Sequence, residues 1–281
     1  MEENRAMTTS TELQGNPPAE GRTEGGGHLP KIAVKNVSKV YGRKSTVTAL
    51  QDVDLEIQEG QFVCLVGPSG CGKSTLLRMM ASLHHPSSGT VELNTSRATH
   101  GVAMVFQNYS IYPWKTVEQN IGLGLQVKGL SAAERASRVG PLMEQMGLTD
   151  FADALPSALS GGMAQRVSIA RALAVRPDVL LMDEPFAALD AQMRRVLQDE
   201  LLAIWQQDRR TVVFVTHSLE EAILLGDRVV VMSSRPGKII GDYHVPFERP
   251  RRPEIRGTAE FAELEQQIWS QMRIEVDRAN S

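Results

Sequence analysis

Between the apolar run Phe62–Val66 and a helical pattern starting at Lys73, the chain reads Gly67-Pro68-Ser69-Gly70-Cys71-Gly72-Lys73-Ser74-Thr75. No other stretch constrains the fold as much. It has the form G-x-x-x-x-G-K-[ST], and its strand–turn–helix setting gives the string its meaning. Glycines let successive backbone N–H groups curl around phosphate oxygens. The helix N-terminus adds its partial positive charge. Lys73 brings a full charge toward the β and γ phosphates, and Ser74 offers a hydroxyl ligand to Mg²⁺.

The rest of the chain agrees with an α/β fold built around that loop. Ile32 and Val34 alternate with polar residues, as do Val53, Leu55 and Ile57. Short apolar runs at Val102–Phe106, Val179–Met182, Val212–Thr216 and Val229–Met232 read as buried strands. Leu76, Leu77, Met79, Met80 and Leu83 mark a helix after the loop, and Ser131-x-x-Glu134 and Ser218-x-x-Glu221 open two more. Strands separated by helices predict a mostly parallel sheet covered on both faces. Of the 281 residues 42% are apolar, enough for a large core. A net charge of −3 argues against a nucleic-acid binder. Residues 1–30 are rich in Glu, Thr, Pro and Gly and read as a disordered tail. Two cysteines, Cys64 and Cys71, make no disulfide framework.

Two further motifs carry chemistry. Leu180-Leu181-Met182-Asp183-Glu184-Pro185 ends a buried strand in adjacent carboxylates. Asp183 is placed to hold Mg²⁺, and Glu184 to polarise an attacking water as general base. An Asn-Lys-x-Asp base-reading motif, expected of a GTPase, is not present. Leu159-Ser160-Gly161-Gly162-Met163 opens a helix running through Val167, Ile169, Ala170 and Leu173. Serine and glycines at a helix start form a second anion site. One nucleotide does not need two such sites from one chain.

With these motifs in order, residues 31–245 resemble the ATP-binding-cassette (ABC) ATPases. The resemblance implies a P-loop NTPase cassette with an inserted helical subdomain at about residues 108–175. Residues 246–281 form a short C-terminal helical extension. It implies ATP and Mg²⁺ as cofactors, and ATP hydrolysis as the activity. ATP would be held by Tyr41, matching the aromatic that stacks on adenine, and by Gly67, Pro68, Ser69, Gly70, Cys71, Gly72, Lys73, Ser74 and Thr75. Gln107 matches the glutamine that contacts Mg²⁺ and the attacking water, so the metal set is Ser74, Gln107 and Asp183. His217 matches the switch histidine on the γ-phosphate, giving Glu184, His217 and Gln107 as the catalytic set. Ser160, Gly161, Gly162 and Asp190 would close on the ATP of the opposite subunit in a head-to-tail dimer. Two departures stand out: Met163 replaces the usual signature glutamine, and Ala187 stands where a serine is frequent.

One cassette without a membrane span favours a separate importer subunit, with membrane permease subunits as partners and, indirectly, a substrate-binding protein. The expected location is peripheral, on the cytoplasmic face of the inner membrane. Tyr112-Pro113-Trp114, Met163, Ser234-Arg235-Pro236-Gly237-Lys238-Ile239 and the stretch Arg249-Pro250-Arg251-Arg252-Pro253 look like the nitrate/sulfonate/taurine importer ATPases. The last stretch leads to a short amphipathic helix with Phe261, Leu264, Ile268 and Met272 at helical spacing. A soluble regulatory cassette and an exporter subunit are the alternatives.

Overall fold

The computed structural model describes residues 29–42, 46–95 and 101–279; most of the expected tail at residues 1–30 lies outside them. Two sheets organise the chain. The smaller is antiparallel, in the order β2 (Val47–Ile57), β1 (Ile32–Tyr41), β4 (Ser88–Leu93). Val53, Leu55 and Ile57 face inward at period two. In β1 the inward residues are Ile32, Val34 and Val37. The extra step coincides with a register shift in both ladders and with a positive φ of 49° at Asn36, a bulge that turns Val37 back to the core.

The larger sheet runs β5 (Val102–Val105), β6 (Val179–Asp183), β7 (Thr211–Val215), β3 (Phe62–Val66), β8 (Arg228–Met232), β9 (Ile239–His244). All pairings are parallel except β8 with β9. Every residue of β3, β6 and β7 is buried, as strands covered on both faces require. Alternate residues serve the two faces. Phe62, Cys64, Val66, Met182 and Phe214 belong to one apolar cluster, and Val63, Leu65, Leu181, Val213 and Val215 to the other. The strands β4 and β9 have no apolar run: β4 is half-exposed Ser-Gly-Thr-Val-Glu-Leu and β9 carries Gly, Asp and His. Both are edge strands, held by ladder bonds more than by burial.

After β3 comes α1 (Lys73–Met80), which stops at Met80; Ser82 has a φ of 57°, and Leu83 lies beyond the helix, 55% exposed. The insertion between β5 and β6 holds α2 (Val117–Ile121), α3 (Leu123–Val127), α4 (Ala132–Gln145) and α5 (Gly161–Ala174). Ser131 and Glu134 form the full reciprocal capping box at α4. A second, Thr116 with Gln119, opens α2 and was readable as Thr-x-x-Gln. Helix α6 (Ala191–Asp208) follows β6, and α7 (Leu219–Leu225) follows β7.

The C-terminal α8 (Ala259–Ala279) puts Phe261, Ile268 and Met272 into the same cluster as β3 and β7, with Leu264 against it. Of the preceding arginines, two turn inward. Arg251 is buried and donates to the carbonyls of Ile223, Leu224, Gly226 and Phe247; burial lowers its pKa to about 10. Arg249 pairs with Asp227 and lies 4.2 Å over the Trp205 ring. Among the described residues no helix is long and apolar enough to cross a membrane.

Candidate active site

Strand order assembles the site. Because β3 sits beside β7, and β7 beside β6, the segments leaving the C-terminal ends of these strands meet at one edge of the sheet. They are Gly67–Thr75, His217 and Asp183-Glu184.

Gly67 (φ 153°) and Gly72 (φ 105°) are tightly hemmed in. A Cβ at Gly67 would lie 2.7 Å from the Met232 carbonyl, and one at Gly72 would lie 2.6 Å from the Leu50 side chain. The loop is therefore clamped between β2 and the end of β8. Lys73 is 5% exposed; its ammonium donates to the carbonyls of Gly67 (2.8 Å) and Pro68 (2.9 Å). The loop lines a cleft of about 410 Å³ with Tyr41, Val47, Ala49, Gln107, Glu184 and Arg235. Tyr41 stands at its mouth, 37% exposed, its hydroxyl 2.9 Å from His84 Nδ1. His84, which reads in sequence as a plain loop residue, thus holds Tyr41; nothing local in the sequence marks the pairing.

Ser74 Oγ reaches across from α1 to donate to Asp183 Oδ1 at 2.7 Å. Asp183 is 2% exposed, and burial raises its pKa, opposed by the Ser74 hydrogen bond and by Arg78. Glu184 follows with φ 46°, a left-handed conformation that costs a non-glycine residue ~1–2 kcal/mol. Its N–H donates to Val215 O at 3.0 Å, so the strand ladder holds the turn. Two groups converge on Glu184 Oε2: Gln107 Nε2 at 3.3 Å and His217 Nδ1 at 3.6 Å.

Ser160, Gly161, Gly162 and Asp190 do not line this cleft. Ser160 caps α5, its Oγ accepting from Met163 N at 3.3 Å. Asp190 caps α6 through the N–H groups of Gln192 and Met193. A Cβ at Gly162 would lie 2.9 Å from Met193, so the two segments pack together. Arg171 of α5 donates to the carbonyls of Ser110 (2.6 Å) and Tyr109 (3.1 Å), tying the segment after Gln107 to the same helix. Buried Asn120 pins the next turn through the backbone of Tyr112, Lys115 and Thr116. Nothing local in the sequence marks either, since an Arg and an Asn on helices look like ordinary polar positions.

A phosphate loop on a central parallel strand, with two carboxylates beyond the strand next but one, defines a P-loop nucleotide hydrolase. The family model described as ABC transporter matches residues 50–187. An uncharacterized ABC transporter ATP-binding protein of Methanocaldococcus jannaschii is 46% identical over 252 residues, covering 88% of this chain and 92% of that protein. The nitrate import ATP-binding protein NrtD of Synechocystis sp. is 42% identical, covering 86% and 95%. The taurine import ATP-binding protein TauB of Jannaschia sp. is 41% identical, covering 84% and 92%. A solved dimeric ATP-binding cassette in a post-hydrolysis state with ADP and Pi has a TM-score of 0.69 and 33% identity, covering 77% of this chain and 100% of that one. The chain belongs to the ABC transporter ATP-binding proteins. It is an ATP-binding, ATP-hydrolysing cassette.

Proposed function

We propose that the protein energises an importer for a small anion such as nitrate, bicarbonate, a sulfonate or taurine, as a peripheral subunit on the cytoplasmic face of the inner membrane. The observation that carries the transport reading is a groove of about 530 Å³ between the helical subdomain and the sheet, lined by Val102, Met104, Phe106, Tyr112, Leu123 and Val127 among others. Its lining residues flank Gln107 on both sides in the chain, and Val127 is 82% exposed. An apolar groove suits a cytoplasmic helix of a permease. Movement of Gln107 would then connect the permease to Glu184. Relatives named for nitrate import, bicarbonate transport and taurine import support the substrate class.

The loop amides and Lys73 bind the ATP phosphates, and Tyr41 faces the adenine. Glu184 polarises the attacking water; Gln107 donates to its Oε2 and His217 lies near that oxygen, which leaves Oε1 for the water. Ser74 and Asp183 form a part-buried pair of hard oxygen donors that fits Mg²⁺, and Gln107 lines the same cleft as Ser74. Among the described residues no group of three or more His, Cys, Asp and Glu side chains forms a metal site. Mg²⁺ would therefore be held jointly by these oxygens and the phosphates, and when bound it neutralises charge developing on them. Ser160, Gly161, Gly162 and Asp190, absent from the cleft, complete it from a second copy in a head-to-tail dimer. ATP contacts made only in the closed pair would shift the population toward closure.

The test is gentle solubilisation of membranes carrying a C-terminally tagged chain, followed by identification of what co-purifies. A multi-span permease is the expected result. Recovery of soluble partners alone, from material that still hydrolyses ATP, would replace transport with a regulatory role.

A further inference from the structure

The loop after β8 does more than connect it to β9. Ser233 and Lys238 close it, with Ser233 N donating to Lys238 O and Lys238 N to Ser233 Oγ, both at 2.9 Å. Gly237 stitches it to β2: Gly237 N donates to Ala49 O and Gln51 N to Gly237 O, both at 3.0 Å. A Cβ at Gly237 would lie 2.0 Å from the Cys71 carbonyl, so glycine is what lets this loop press on the phosphate loop. From that platform Arg235 extends along the rim of the ATP cleft, and its Nη2 donates to Gly70 O at 3.1 Å.

Arg235 is in turn tied to the C-terminal helix. Ser234, its neighbour, gives both its N–H (3.1 Å) and its Oγ–H (3.0 Å) to Glu275 Oε2. Glu275 is 6% exposed and lies on α8. An earlier stretch of the same helix, Ala262 to Trp269, borders a groove shared with His217. One helix thus contacts the loop that bears Arg235 and also borders His217.

We propose that Arg235 is a positioning residue for ATP, and that α8 sets nucleotide affinity through the chain Glu275–Ser234–Arg235–Gly70. In a trans peptide the Cys71 N–H points away from the Gly70 carbonyl. Holding that oxygen therefore orients the amide, whose contact with Pro68 O closes the turn of the loop. Fixing the loop before ATP arrives lowers the ordering cost of binding. The proposal rests on ATP occupying the Lys73 cleft.

The full-length protein is titrated with ATP by calorimetry, and steady-state hydrolysis is measured. Arg235→Ala raises Kd and KM by roughly 3–10-fold, the scale of one hydrogen bond, while kcat stays within about twofold. Arg235→Lys recovers part of the loss. Glu275→Gln, which keeps the side-chain volume, shifts Kd the same way by less. Adding it to Arg235→Ala changes nothing further, because both act through one path. An unchanged Kd in Arg235→Ala, a lysine variant no better than alanine, or effects that multiply in the double variant would overturn the proposal. Lys73→Ala serves as control. If it too binds ATP normally, the cleft assignment fails and takes the proposal with it; if Lys73→Ala alone loses affinity, only the Arg235 link fails.

Discussion

Glu184 and Glu221 sit close together and carry opposite kinds of prediction. Glu184 is the group proposed to polarise water, so Glu184→Gln should keep ATP affinity within a few-fold. Its kcat should fall by about 10²-fold or more, the usual range for a lost general base. Single-turnover hydrolysis at normal rate in that variant would remove Glu184 from the mechanism. Glu221 is a stability matter. Burial raises its carboxyl above 4.5, and hydrogen bonds from Thr216 and Gln198 oppose this. The folded chain then holds the Glu221 proton more tightly than the unfolded chain. Stability falls as pH rises past 4.5 into the raised range, and the deficit persists above it. Glu221→Gln carries no such deficit. Its melting temperature should exceed the parent's at pH 8, by roughly 2–4 °C if the gain is ~1 kcal/mol. The difference should vanish below pH 4.5, and thermal melts across pH check it.

At the scale of elements, α5 and α8 show two ways for a helix to be held. Helix α5 is buried nearly all round, with ten of its fourteen residues inside, so it has no clean apolar stripe. Helix α8 has one: Phe261, Ile268 and Met272 inside, with Trp269 and Ile274 about half exposed. Because that stripe enters the same cluster as Phe62 and Phe214, α8 should unfold with the cassette. Ile268→Ala should cost ~2–5 kcal/mol and leave a single cooperative denaturant transition. An unchanged midpoint, or a separate early transition, would show the helix to be a detachable appendage.

For the whole molecule, Ser160–Gly162 stand apart from the Lys73 cleft, and in the proposed head-to-tail pair each chain would hold half of two sites. Chains carrying Lys73→Ala and chains carrying Ser160→Arg should each be inactive alone. A mixed pair regains one complete site, and random pairing gives roughly a quarter of the parental activity in a two-fold dimer. ATPase assays on the mixture decide it, and no recovery would argue against a shared site.

Much of this was legible in the residues. The phosphate loop, the acidic pair after β6 and the buried strands are local features, each declared by residue type at short spacing, since backbone sterics and burial act over a few residues. The edge strands β4 and β9 were not legible, because ladder bonds hold them without an apolar pattern. Pairings across the chain were invisible for a different reason. Ser74 meets Asp183, Gln107 meets Glu184, Tyr41 meets His84, and Ser234 meets Glu275 only because strand order and helix packing bring distant segments together. The sequence by itself determined the chemistry available and the class of fold able to present it. The tertiary structure alone decided which groups stand within hydrogen-bonding distance, and that the C-terminal helix meets Ser234 beside the cleft-lining Arg235, because contact depends on position in space and not on separation along the chain.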